Sequence, residues 1–329
     1  MFARKTIVAV VAMVLLSVAW AWAQVIDLDA EPTEKKKPEI WEKASAAGAK
    51  RAEEAARSDA CLRLVEAVYR LPVSSDRDVL DMMIKNKQVD ADLIKGLSKA
   101  PAVNADYLED GTVRITVATT PAEVVKVLKG AYAKVDWDLA EEDHVIAAVA
   151  TRTKADTQIL AVGEGALGGS VGEKRLTVRR AALAKAIKQI GVQVAKLVLR
   201  EHDYDWQHVE RRWLRDFALA FEQVPTKIAL GLSTVRIHSE KWLDDGSVEL
   251  RGELDVIRVS ELAARAQSLY DRRGKFAGWG FSALLTSTKD MIFHAEVTAS
   301  PKDPVPKNSP LALEIEAFDA ALKVPIKEE

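Results

Sequence analysis

The sequence contains a single cysteine, Cys61, in 329 residues. A lone thiol excludes an internal disulfide, so even an oxidising compartment adds no covalent staple. Cys61 falls at helical spacing with Leu64, Val65 and Val68, which reads as a buried, inert thiol on an apolar face. Histidine is scarce, with five residues, and none stands in a nucleophile motif such as GxSxG. Gly169-Ser170-Val171-Gly172 lacks the elbow spacing. Charge of one sign is lacking as well: 47 basic against 49 acidic side chains leave a formal net charge of −2. A nucleic-acid partner wants a basic excess, and none is present. Acidic turns are present, but no EF-hand run of alternating oxygen ligands surrounds them. Beyond residue 23 there is no long uncharged apolar run.

Before that point there is one. Arg4 and Lys5 precede an uncharged apolar stretch over 6–23, and Ala21-Trp22-Ala23 places small residues where a signal peptidase reads. The expectation is export, with residues 1–23 as a signal peptide cleaved at Ala23-Gln24 and delivery to the periplasm or cell envelope. The length of the stretch leaves an uncleaved N-terminal anchor as the alternative. Residues 24–39 include EPTEKKKPE and read as a charged linker with nothing to bury.

From there the chain reads as two tandem α+β repeats. Ile40, Trp41, Ala44, Ala52, Ala55, Ala56, Ala60, Leu64, Val65 and Val68 recur at three and four residues, an alanine-rich helix that Gly48 divides. Residues 103–107 and 112–118 read as strands around Leu108-Glu109-Asp110-Gly111, and Asp-Gly between such runs signals a hairpin. Thr120-Pro121-Ala122-Glu123 then opens a helix with threonine as N-cap. YLEDGTVRITV from Tyr107 has a counterpart in WLDDGSVELRG from Trp242. ARSDACLRLVEAV from Ala56 has one in VRRAALAKAIKQI from Val178. The division is repeat 1 over 40–133, a connector over 134–156, repeat 2 over 157–273 and a strand-helix tail over 274–329. Asp110, Gly111, Asp245 and Gly246 are expected as structural turn residues, both glycines at positive φ.

Within repeat 2 sits ILAVGEGALGGSVGEK, with Gly163-x-Gly165-x-x-Gly168. A dinucleotide fingerprint needs its strand to open directly into a helix whose amides face the pyrophosphate. Here Gly169 to Gly172 intervene, and Glu164 puts a carboxylate where an anion should lie. The expectation is a short strand over 157–162 and a flexible loop into a helix, with no nucleotide and no other cofactor. A strand ending in a GEGA-like turn, an alanine-rich helix and a D-D-G-x-V hairpin together resemble the twenty-kilodalton (LPP-twenty) bacterial envelope lipoprotein family. The N-terminal domain of flagellar assembly protein T is a related arrangement. The match is best over 159–266 and looser over 44–131. The resemblance implies an envelope-associated, non-catalytic domain with a helix on a small antiparallel sheet. Family members are anchored through a lipidated N-terminal cysteine, which this chain lacks, so lipid anchoring is not implied.

The densest set of potential ligands is Glu201 followed by His202-Asp203-Tyr204-Asp205-Trp206-Gln207-His208. His202 and His208 are the only candidates for a metal site, and only a bent loop would bring them to one ion. Trp206, Val209, Trp213, Phe217 and Phe221 recur as a core-facing amphipathic helix. The functional expectation is a non-catalytic assembly or interaction module that binds an envelope protein, peptidoglycan or the outer-membrane surface. The alternative is a periplasmic metal-binding protein or hydrolase using the His202–His208 segment. In the tail, 291–298 alternates as a strand and Ser309-Pro310 caps a helix through Lys323. That strand is expected to dock on the first repeat's sheet, the alternative being that the tail packs on the second repeat or forms a separate partial unit.

Overall fold

The computed structural model describes residues 37–71, 78–132, 158–202, 209–220, 223–255 and 292–326. The expected signal peptide, most of the 24–39 linker, the 134–156 connector and residues 256–291 lie outside them. The fold is α+β, with two three-stranded antiparallel sheets and a two-stranded ribbon. The order is α1 (Glu39–Glu42), α2 (Ala46–Tyr69), α3 (Val79–Lys85), α4 (Lys87–Leu97), β1 (Ala102–Tyr107), β2 (Thr112–Thr119), α5 (Pro121–Tyr132), β3 (Ile159–Ala166) and α6 (Val171–Ala195). Then follow β4 (Val198–His202), β5 (Val209–Trp213), α7 (Leu214–Ala220), α8 (Gln223–Leu232), β6 (Arg236–Trp242), β7 (Val248–Asp255), β8 (Ile292–Ala299) and α9 (Ala312–Leu322). Among the described residues no helix is long and apolar enough to cross a membrane.

The N-terminal helical stretch breaks before Gly48. Ser45 caps α2 by accepting from the Gly48 amide, so the glycine lies inside the first turn. Ala52, Ala56 and Ala60 then recur on one side of α2 and are fully buried or nearly so. They face β3, and the contact explains the glycines. A Cβ on Gly163 would lie 2.0 Å from the Ala60 nitrogen and 2.3 Å from the Ala56 oxygen; one on Gly165 would lie 2.2 Å from the Ala52 oxygen. Strand and helix meet backbone to backbone, which only residues without a Cβ permit. The expected flexible loop is therefore corrected: the strand runs through Ala166, and packing holds Gly163 and Gly165 in it.

β3 is also corrected in its partner. It pairs antiparallel with β2, from Thr112↔Ala166 to Thr119↔Ile159, and so completes the first sheet in the order β1-β2-β3. The second sheet has the same plan, β6-β7-β8, with β8 paired to β7 from Val248↔Ala299 to Asp255↔Ile292. The tail strand does not dock on the first sheet; the edge it covers is that of its own preceding hairpin. Helix α6 lies against β7 and β8 as α2 lies against β2 and β3. Helix α9 packs across α6 at Gly191, where an added Cβ would lie 3.1 Å from both Phe318 and Ala321. Leu311, rather than Ser309, is its N-cap residue.

The two Asp-Gly turns are bonded alike. Gly111 donates to the Leu108 carbonyl, Leu108 to Thr112 and the Thr112 amide to Asp110 Oδ1. Gly246 donates to Leu243, Leu243 to Ser247 and the Ser247 amide to Asp245 Oδ1. The glycines have φ of 88° and 80°. Both hairpins shift register at the corresponding step, between Ala102 and Asn104 and between Ile237 and Ser239. The surroundings differ. A Cβ on Gly111 would meet the Ser170 Cβ at 2.8 Å, whereas on Gly246 its nearest neighbour is Pro301 at 3.7 Å. Gly246→Ala should cost about 1–2 kcal/mol from left-handed strain alone. Gly111→Ala carries that strain and the contact with Ser170, so its midpoint of thermal unfolding should fall further. Equal Tm losses would show that the Ser170 contact has no weight.

Helix α5 starts as expected, with Glu123 donating its amide to Thr120 Oγ1 at 3.3 Å. The expected helix through Val209, Trp213 and Phe217 is replaced by strand β5, paired with β4, and a helix that begins only at Leu214. Val209, Arg211 and Trp213 also alternate with period two, and strand pairing decides between the two periods.

Candidate functional site

Three groups of ionisable side chains sit where the first helix-and-sheet unit meets the second. The deepest is centred on Lys227, which is fully buried in α8. Asp78 and Asp81 form a capping box at the start of α3: the Asp81 amide donates to Asp78 Oδ1 and the Asp78 amide to Asp81 Oδ2. Lys227 Nζ donates to Asp78 Oδ1 at 2.6 Å and ion-pairs with Asp81 Oδ1. Both carboxylates are buried, at 0% and 2% exposure. Satisfying the helix start thus places two negative charges beside a cation from the other half of the chain. A lone lysine within the apolar run Val224, Ile228, Ala229 and Leu230 was the sequence signal for this site, and it passes unnoticed until the acidic partners are seen.

The second group joins α2 to α9. Glu66 and Glu314 are both buried, and Arg63 lies 3.4 Å from Glu66 and 3.8 Å from Glu314. Leu311 donates its amide to Glu66 Oε1 at 3.1 Å. Leu311 has φ 55°, strained for a branched side chain, while that side chain is buried in the first unit's core. The amide bond and the burial hold the strained turn.

Burial pushes the Glu314 carboxyl up to about 7, helped by the neighbouring Glu66 charge. Burial likewise lifts Asp81 to about 6, more than the attraction of Lys227 lowers it. A carboxyl raised on folding binds its proton in the folded chain before the unfolded chain does. From about pH 7 down to the ordinary carboxylate range, stability therefore rises as pH falls. The Tm should be higher at about pH 5.5 than at about pH 8, and Glu314→Gln should shrink that difference. A Tm that rises with pH across this window would contradict the burial of these carboxyls.

The third group lines a cleft of about 630 Å³ between α2, β3 and α6. Arg179 bridges Glu164 at 2.8 Å and Glu240 at 2.9 Å, and Glu164 also receives Arg114 at 2.8 Å. The Glu164 amide donates to Asp59 Oδ2. Among the described residues the Arg180 side chain makes one hydrogen bond, to the Lys307 carbonyl at 2.8 Å, and its buried Nε has no partner. Val162 stands half exposed on the wall.

The residues singled out from sequence fall elsewhere. His202 ends β4, opposite Val209, and His208 lies outside the described residues. Among the described residues no group of three or more His, Cys, Asp or Glu side chains could hold a metal ion. Cys61 is buried, with its thiol 3.7 Å from the Ser98 carbonyl, and burial pushes its pKa up. Asp110, Gly111, Asp245 and Gly246 are turn residues; Asp110 also lies 3.7 Å from Arg175, beside the start of α6. No family model, curated protein or solved structure matches this chain.

Proposed function

We propose that this is an exported, non-catalytic envelope protein, an assembly or interaction module whose two helix-and-sheet units arose by duplication. One observation carries the reading: the buried side chains of Lys227, Asp78, Asp81 and Glu314, with the half-buried Arg63, are engaged in joining the two units across their junction. Removing one member of such a group leaves a buried charge unpaired, so these side chains serve to hold the two units together. The matched turn hydrogen bonds and matched register shifts support the duplication. A long alanine-rich helix on an antiparallel sheet with an Asp-Gly hairpin is the arrangement implied by resemblance to the twenty-kilodalton envelope lipoproteins. The apolar stretch over 6–23 supports export. The partner is a protein, peptidoglycan or the outer-membrane surface.

Expression of the whole chain in a bacterium with an outer membrane tests the proposal. The expected product is recovered in the periplasmic or envelope fraction with Gln24 as its first residue. Recovery from the cytoplasm with the N-terminus intact would overturn export. Stoichiometric zinc or copper, lost in a His202→Ala, His208→Ala double variant, would favour a metal-binding protein instead.

A further inference from the structure

Arg180 differs from the other arginines around the cleft. Arg63 has Asp59, Glu66 and Glu314 within 4.0 Å, and Arg179 has Glu164 and Glu240. Among the described residues no carboxylate lies within bridging distance of Arg180. Asp59, Glu314 and Glu66 act on it only from farther away, and Arg63 opposes them. Burial is the largest influence and pushes the guanidinium below its ordinary value. A guanidinium presents five donors in a planar fork suited to a carboxylate. Here one Nη2 donor is taken by the Lys307 carbonyl and Nε is enclosed with no partner among the described residues, so the remaining Nη donors are what a ligand would meet.

The charge around it balances only while every group is ionised. Arg63, Arg70 and Arg180 face Asp59, Glu66 and Glu314. With burial raising Glu314 to about 7, that acid is largely protonated below neutrality, and the group then carries a positive excess. The rest of the cleft is mixed. Ser58, Thr177 and Asn308 add polar groups, while Leu176, Leu183 and Val162 add apolar wall. β3 forms one side and is an edge strand among the described residues, its Glu164 amide already given to Asp59. The volume is in the range of small-ligand sites.

We infer that the cleft receives a peptide segment and that Arg180 anchors one carboxylate of it, from an acidic side chain or a chain terminus. A peptide matches every part of the wall: its carboxylate meets the unfilled guanidinium, its apolar side chains meet Leu176, Leu183 and Val162, and its backbone meets polar groups and a strand edge. The inference rests on the interaction-module reading and narrows its partner to a protein with an exposed acidic segment.

The probes are the blocked tripeptide acetyl-Val-Glu-Leu-amide, its glutamine counterpart and inorganic phosphate, each titrated into the folded protein at constant ionic strength. Binding is followed by amide chemical shifts in two-dimensional NMR. The glutamate peptide should bind saturably and at least about tenfold more tightly than the glutamine peptide, the ratio expected for one charge-assisted bidentate contact. Arg180→Met should lose that preference while its Tm stays close to the parent, and Arg180→Lys should retain part of it. Equal binding of the two peptides, binding unchanged in Arg180→Met, or no saturable binding would each overturn the proposal. So would phosphate that competes as well as the glutamate peptide, since the site would then be a simple anion hole. None of these results bears on export, which the fractionation experiment decides by itself.

Discussion

Replacing Lys227 by methionine should destabilise the protein by about 3–5 kcal/mol, the usual cost of removing one partner from a buried ion pair. Methionine keeps the length of the lysine stem, so little packing is lost. What is lost is the only ammonium between Asp78 and Asp81 among the described residues, both of which remain buried at the start of α3. One or both must then take a proton or pull toward water, and α3 and α8 come apart. Chemical denaturation of the single variant measures the cost. Asp78→Asn and Asp81→Asn added to Lys227→Met should recover a large part of it, because asparagine still caps a helix without carrying charge. A loss below about 1 kcal/mol in the single variant would show that the pair does not clasp the two units. A triple variant no better than the single would assign the loss to packing.

Gly163→Ala should be comparably damaging, at about 3 kcal/mol or more, the upper end of overpacking costs. The added carbon would sit 2.0 Å from the Ala60 nitrogen and 2.3 Å from the Ala56 oxygen. Both are main-chain atoms, so no side-chain rotation relieves the contact and β3 must move away from α2. That separation would expose Val113 and Val117, both fully buried on β2. The same logic supplies two controls. Gly168→Ala meets nothing within 4 Å and should melt like the parent. Ala60→Gly should fail to rescue Gly163→Ala, because the obstructing atom belongs to the backbone. Rescue by Ala60→Gly would mean that side chains set the helix-to-strand distance.

These two sites were legible in the chain to different degrees. Gly163-x-Gly165 was visible as a motif, but its purpose was not: the groups it accommodates, Ala52, Ala56 and Ala60, lie more than a hundred residues earlier. Lys227 stood out only as a charge in an apolar run, and its partners lie far away in a capping box that by itself looks sufficient. The cleft was invisible for the same reason, since Arg180 follows Arg179 on one helix and nothing local separates their surroundings. Arg179 finds two carboxylates, and Arg180 finds a carbonyl.

What the sequence determined alone is what short-range chemistry decides. The Asp-Gly turns follow from glycine's access to positive φ and from an aspartate that accepts the amide two residues on. The long helices follow from alanine-rich periodicity, and the first turn of α5 from Thr120 before Pro121. The α+β class follows from those elements together. Tertiary structure decided which strands share a sheet. β3 and β8 each close the hairpin before them, where sequence order alone allowed β3 to lead the next unit and β8 to return to the first. An edge strand's hydrogen bonds are indifferent to which strand supplies them, so pairing is settled by the helix that must cover the finished sheet. For the first sheet that helix is α2, and its alanine backbone accepts only a strand with glycine at 163 and 165.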